Sequence, residues 1–290
     1  KLADLEPGRI MWEPNSDMNK YGTPMTLMTI PYFTEHTSME GLYFDSSITT
    51  PFHFISVSGL AKRPSNPVGG LSYINNQFDQ GVEHLNHLGV DYFISYTEEI
   101  ESKAMASEKL ILLFSSEPFS VFKVNSSKVE LIYQDIKVFS KARTQDGILS
   151  SILRDTNINN FFDKAYESFD ELDKKRVIEV SNGMNIVSSK KNDLQITNLN
   201  ISNNKISFFT DSPGELHLIK VSYFPNWKIT NGKGPFRTSP SFMSVIPDNK
   251  YVEITFEKTV VEKNSFYFSI FSLLLSLIIF IRLKQNAKKT

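Results

Sequence analysis

The sequence predicts an α+β fold: an N-terminal mixed α/β layer, a helical insert, a C-terminal antiparallel β-sandwich and a single C-terminal transmembrane helix. Three observations carry this. Residues 1–139 mix helical and strand patterns, residues 176–258 form a series of short strand-like segments divided by turn residues, and residues 264–281 hold eighteen positions without a charge.

The first unit opens with "TPMTLMTIPYF" (23–33) and "GLYFDSSITTPFHFISVSG" (41–59), which carry β-branched and aromatic residues punctuated by proline. Its most legible part is "FDQGVEHLNHLGVDYFISYT". There Val82, Leu85 and Leu88 recur every third residue and give a helix one apolar stripe. Gly89 suits a left-handed C-terminal cap, and "VDYFIS" continues as a buried strand. "KLILLFSS" and "FSVFKVN" read as two more strands around the turn at Glu117 and Pro118.

The period changes from about Asp146 to Lys175, where apolar residues are spaced by three and four. Phe161, Phe162, Tyr166 and Phe169 share one face, so residues 140–175 form a helical insert or linker. Residues 176–258 then read as consecutive strands. "YVEITFEK" alternates Val252, Ile254 and Phe256 against Glu253, Thr255 and Glu257, and "KISFFTD", "ELHLIKVSY" and "SFMSVIP" are similar. Turn residues at 202–204, 212–214, 231–234 and 247–249 separate them, as in an antiparallel sandwich. Tyr223, Phe224 and Trp227 are expected to close the end from which the last strand runs into the apolar helix.

Eighteen helical residues reach about 27 Å, close to the hydrocarbon thickness of about 30 Å. Only Ser269, Ser272 and Ser276 interrupt the span of residues 264–281. Beyond it, Arg282, Lys284, Lys288 and Lys289 are unopposed by any acid, whereas Lys258 and Lys263 before it are balanced by Glu257 and Glu262. This asymmetry predicts a chain of the cell membrane, with residues 282–290 cytoplasmic and the bulk extracytoplasmic. "KLADLEPGRI" carries no export signal, so the chain is expected to continue a longer membrane protein whose earlier spans perform the translocation.

Composition narrows the function. With 31 basic and 32 acidic side chains the formal charge is -1, which predicts no nucleic-acid partner. The absence of cysteine excludes disulfides, Cys-ligated zinc and thiol nucleophiles. No phosphate-binding glycine loop or nucleophile elbow occurs, and no cofactor is expected. His84 and His87, beside Glu83, lie on adjoining helical turns but lack the H-E-x-x-H spacing, so they read as partly exposed helix histidines, with no metal site expected. Glu40, Tyr43, Asp45 and His53 combine acids, aromatics and an imidazole within one stretch, the texture of a carbohydrate-contacting surface. Trp227 is the other candidate substrate-binding residue and Tyr223 a further stacking platform, against the alternative that both fill a core. A sugar site predicts a groove lined by Tyr43, Phe44, Tyr73 or Trp227 near an acid. No catalytic residue is assigned.

"LIKVSYFPNWKITNGKGPFRTSPSFMSVIP" (218–247), followed by a strand and one apolar helix, resembles the C-terminal region of large bacterial membrane proteins. These are labelled for a "6-pyruvoyl-tetrahydropterin synthase-related" domain and are similar in layout to C-class, lipid-linked-sugar membrane glycosyltransferases. "IPYFTEHTSMEGLYFDSSITTPFHF" and "GVEHLNHLGVDYFI" are similar to segments of the same family, so the resemblance covers most of the chain outside 140–175. It implies an extracytoplasmic domain plus anchor that recognises a glycan or lipid-linked sugar and is not catalytic alone. It also implies as partners the bilayer and a missing N-terminal transmembrane bundle. Synthase activity is not implied, because a zinc-binding histidine cluster and a reactive cysteine are lacking. The alternative is a structural or interaction module of a cell-envelope assembly.

Overall fold

The computed structural model describes residues 1–41, 49–141, 169–181, 184–190 and 193–286. The chain is of the α+β class, with three sheets, helices packed against them and an apolar C-terminal helix. In chain order the elements begin with β1 (Arg9–Trp12), α1 (Ile30–Phe33), β2 (Thr37–Ser38), α2 (Thr50–Leu60), α3 (Phe78–His87), β3 (Tyr92–Ser95) and α4 (Glu98–Ala106). Strands β4 (Leu110–Ser116), β5 (Phe119–Val124), β6 (Val129–Leu131), β7 (Asp135–Lys141), β8 (Lys175–Ser181), β9 (Ile196–Ile201) and β10 (Lys205–Thr210) follow. The last are β11 (His217–Ser222), β12 (Trp227–Ile229), β13 (Gly232–Thr238), β14 (Phe242–Pro247), β15 (Tyr251–Phe256) and helix α5 (Val260–Asn286).

The first sheet has the order β2-β1-β3-β5-β4, parallel among β2, β1 and β3 and antiparallel beyond. Alternation along β1 splits its residues between two cores. Met11 enters the main cluster with Phe93 and Phe122, while Ile10 and Trp12 face the opposite side with Tyr92, Ile94 and Val121. The second sheet, β6-β11-β14-β13-β8-β7, is also covered on both faces. Leu218 and Phe242 join the main cluster, and their neighbours Ile219 and Met243 join a second cluster with Phe208, Val252 and Ile254 of the third sheet, β12-β15-β10-β9.

The stretches 23–33 and 41–59 are helical where they are described, despite their β-branched and aromatic content. In α2 every residue from Phe52 to Leu60 is buried, and Phe52, Ile55, Val57 and Leu60 share the main cluster with both flanking sheets. A helix enclosed on all sides shows no amphipathic period, so composition alone misdirects. It meets α3 at Gly81, where a Cβ would lie 2.8 Å from Leu60 Cγ. Of the expected insert, residues 142–168, including Phe161, Phe162 and Tyr166, lie outside the described residues; Phe169 and Leu172 are buried in the main cluster.

In β15, Val252 and Ile254 are buried as the alternation predicts, but Phe256 is 39% exposed and packs edge-on against Trp227. Four residues later α5 begins, earlier than the expected position 264. Thr259 caps it, accepting from the Glu262 amide (3.2 Å) while the Glu262 carboxylate accepts from the Thr259 amide (2.6 Å), a reciprocal capping box. Its span Val260–Ile281 holds an 18-residue window of mean hydropathy 2.0, none of it buried. It is therefore long and apolar enough to cross a bilayer, and it fills no core among the described residues.

Gly89, just past α3, has φ +63°, and a Cβ there would lie 3.1 Å from Cβ and Cδ of Lys220. Gly89→Ala combines left-handed strain of about 1–2 kcal/mol with that crowding. Gly214→Ala has the strain alone, since φ is +83° with nothing within 4 Å. Denaturation midpoints of the detergent-solubilised chain are expected to fall for both variants and further for Gly89→Ala.

Candidate functional site

A cleft of about 840 Å³ is lined by residues from both halves of the chain. Residues 6–9, 37–39 and 199–203 line it together with Val221, Ser222, Trp227 and Phe242. Its polar groups are two acids (Glu6, Glu35), two amides (Asn200, Asn203), several hydroxyls and the cations Arg9 and Lys128.

Those cations belong to a network at the C-terminus of α3. The Arg9 guanidinium donates from Nη1 to Leu88 O and from Nη2 to Lys220 O at 2.9 Å. Lys128 donates to Gly89 O and pairs with Asp91 at 2.6 Å, and Asp91 also accepts from the Arg9 amide. Lys220 donates to Asn86 O at 2.9 Å and to Glu130 at 2.8 Å. Three cations thus meet the carbonyls that a helix end leaves unsatisfied, where its dipole is negative. Burial lowers the pKa of all three, that of Lys128 to about 8, and Asp91 and Glu130 oppose the shift.

Trp227 lines the cleft with little of its surface exposed, since at 6% it belongs mainly to the second core beside Tyr223. Glu40 is half-buried next to Met39, which lines the cleft, and burial pushes its carboxyl up to about 7. His53 lies on α2, 1% exposed, with neither ring nitrogen hydrogen-bonded among the described residues; it is absent from the cleft lining. Its pKa falls to about 4 through desolvation. Tyr43, Asp45 and Phe44 lie outside the described residues. The Tyr73 hydroxyl bonds to the backbone of Val68 away from the cleft.

His84 corrects its expectation. It is 1% exposed, 2.9 Å from Asp170 Oδ1 and packed on Phe169 with ring centroids 4.5 Å apart. The described residues contain no cluster of three potential metal ligands. Sequence reasoning missed Arg9, Lys128 and Lys220, whose contacts span up to 211 residues. The only local signal is a lysine one residue before an apolar strand at Lys128 and a lysine inside one at Lys220. Chemically, the cleft can hold a hydroxylated ligand by amide, hydroxyl and carboxylate contacts, with Arg9 and Lys128 also in its lining. Comparison of the chain with protein-family models, curated proteins and solved structures yields no match.

His53 and Glu40 give pH slopes of opposite sign. Between pH 6.5 and 4 the native chain binds fewer protons at His53 than the unfolded chain does, so stability falls as pH falls, by up to about 3 kcal/mol. Between pH 4.5 and 7 the native chain retains the Glu40 proton that the unfolded chain loses, so stability falls as pH rises. Chemical denaturation across pH is expected to show a flatter acid limb for His53→Phe and a flatter neutral limb for Glu40→Gln.

Proposed function

We propose that the chain is the extracytoplasmic domain and membrane anchor of a multi-spanning, glycosyltransferase-like membrane protein of the bacterial cell envelope. Its cleft recognises a glycan or lipid-linked sugar, and the chain performs no reaction alone. The observation that carries this reading is a large polar cleft whose wall is tied to the start of an unburied apolar helix. The Phe256 amide donates to Asn204 O at 2.8 Å, next to the cleft residue Asn203. Asn226, beside Trp227, donates to Glu257 O at 2.9 Å and to the capping carboxylate of Glu262 at 2.8 Å. A ligand carried by the bilayer therefore meets its recognition surface close to where the chain enters lipid.

In this reading the second and third sheets form a β-sandwich, residues 264–281 of α5 cross the membrane, and residues 282–290 are cytoplasmic because Arg282, Lys284, Lys288 and Lys289 are unopposed. The remaining spans of the parent protein supply the catalytic groups. An interaction module of an envelope assembly is the second reading. It is favoured by the edge strand β4, where Ile111 is 62% exposed and Leu112 and Leu113 also face solvent.

The chain has two tryptophans, so Trp12→Phe leaves Trp227 as the sole indole reporter in the cleft. In nanodiscs, titration with a polyprenyl-linked oligosaccharide is expected to change its emission saturably. Asn200→Ala and Asn203→Ala are each expected to weaken binding about tenfold. An unchanged emission, or the same response to the polyprenyl phosphate without sugar, contradicts glycan recognition.

A further inference from the structure

We infer that a second cavity, of about 370 Å³, binds a small hydroxylated oxyanion, a phosphate or carboxylate with a neighbouring hydroxyl, on Arg176, Lys220 and Gln134. The cavity shares strands with the cleft but not its lining: Lys128 and Val221 line the cleft, whereas Val129, Glu130 and Lys220 line the cavity. The inference is independent of the glycan reading and of the membrane.

Two residues that line the cavity each carry a buried polar atom without a partner among the described residues. Arg176, on β8, is 1% exposed; its Nη1 donates to Ser239 O at 3.2 Å and its Nη2 to Glu130 at 3.0 Å, but its Nε–H is unpaired. Gln134, 8% exposed, has an unpaired Oε1. Lys220, 2% exposed on its side chain, uses two of its three ammonium donors on Asn86 and Glu130. Buried polar groups are ordinarily satisfied, so an unpaired donor and an unpaired acceptor at one cavity mark what its occupant must supply. The occupant needs an acceptor for the cations and an O–H for Gln134.

Charge points the same way. Arg176 and Lys220 share Glu130, and Lys128 pairs with Asp91, whose charge also acts on the adjacent Arg9. Four cations face two partly buried carboxylates, with the exposed Asp173 and Asp170 and the carbonyls of the α3 terminus as partial compensation. His87 completes the wall as a neutral imidazole, because burial and the charges of Arg176, His84 and Lys220 drive its pKa down to about 3. Tyr133 stands half-exposed at the mouth. The anion supplies the missing negative charge, the oxygens face Arg176 Nε and Lys220 Nζ, and the hydroxyl donates to Gln134 Oε1.

Calorimetric titration of the full, detergent-solubilised chain tests this, with glycerol 3-phosphate and glycerate in separate arms to distinguish the two oxyanions. Inorganic sulfate, an oxyanion with no O–H, and glycerol are the controls. At least one hydroxylated anion is expected to bind at least about tenfold tighter than sulfate, and glycerol not at all. Gln134→Leu is expected to reduce that binding about tenfold while leaving the weak sulfate affinity unchanged. Arg176→Lys is expected to weaken both. Should Arg176→Lys fail to fold, Gln134→Leu and the ligand series still decide. Absence of binding by both hydroxylated anions at about 10 mM, meaning a cavity filled by water alone, overturns the proposal. Equal affinity for sulfate, equal affinity for glycerol, or insensitivity to Gln134→Leu overturns it too.

Discussion

The C-terminus of α3 is where the two halves of the chain are fastened together. Lys220 of β11 reaches Asn86 O, Arg9 of β1 reaches Leu88 O and Lys128 reaches Gly89 O, so three distant elements converge on one helix end. The helix offers carbonyls and a partial negative charge; the cations offer donors that would otherwise be buried alone. Asp91 and Glu130 complete the balance. Removing one member of such a buried set leaves its partners uncompensated, which costs far more than the set adds to stability by existing. Its value lies in position. It fixes the first sheet, α3 and the second sheet in one register, and Gly89 lets the Lys220 stem pass against the helix end.

That register creates both recesses. The cleft opens on the Arg9 and Lys128 flank and the smaller cavity on the Lys220 and Arg176 flank. Each has polar walls over buried cations, so each favours a ligand that brings hydrogen-bonding oxygen. They differ in what they leave unpaired. The cleft is larger, and its amides, Asn200 and Asn203, are exposed, as suits an extended hydroxylated ligand. The cavity holds a buried orphan donor and a buried orphan acceptor, as suits a compact one.

Much of this architecture is legible in the sequence, for identifiable reasons. Val82, Leu85 and Gly89 announce α3 and its end because one face meets the core and the other meets water. Val252 and Ile254 announce β15 because a strand covered on one side alternates. The same logic hides α2, which has no wet face, so "PFHFISVSG" shows no period and its β-branched residues mislead. Thr259 and Glu262 spell a capping box that fixes the start of α5 at Val260, a local signal overlooked in favour of the uncharged run. The candidate site was harder to see. Trp227 belongs to both core and cleft, His53 sits inside a buried helix, and the three cations of the α3 terminus come from separations no local pattern records.

The functional reading rests on α5 crossing a bilayer with the sheets on its outer side. The helix has an unburied 18-residue window of mean hydropathy 2.0 with no apolar surroundings among the described residues, and its capping box and Asn226 contacts join it to the domain. The chain contains no cysteine, so single cysteines report sidedness without background. Cysteines at Asn249, on an exposed turn, and at Gln285, near the end of α5, are probed with a membrane-impermeant maleimide in intact and permeabilised cells. Labelling of position 249 in intact cells and of position 285 only after permeabilisation is the predicted result. Labelling of position 285 from outside, or recovery of the chain in the soluble fraction after alkaline extraction, would contradict it.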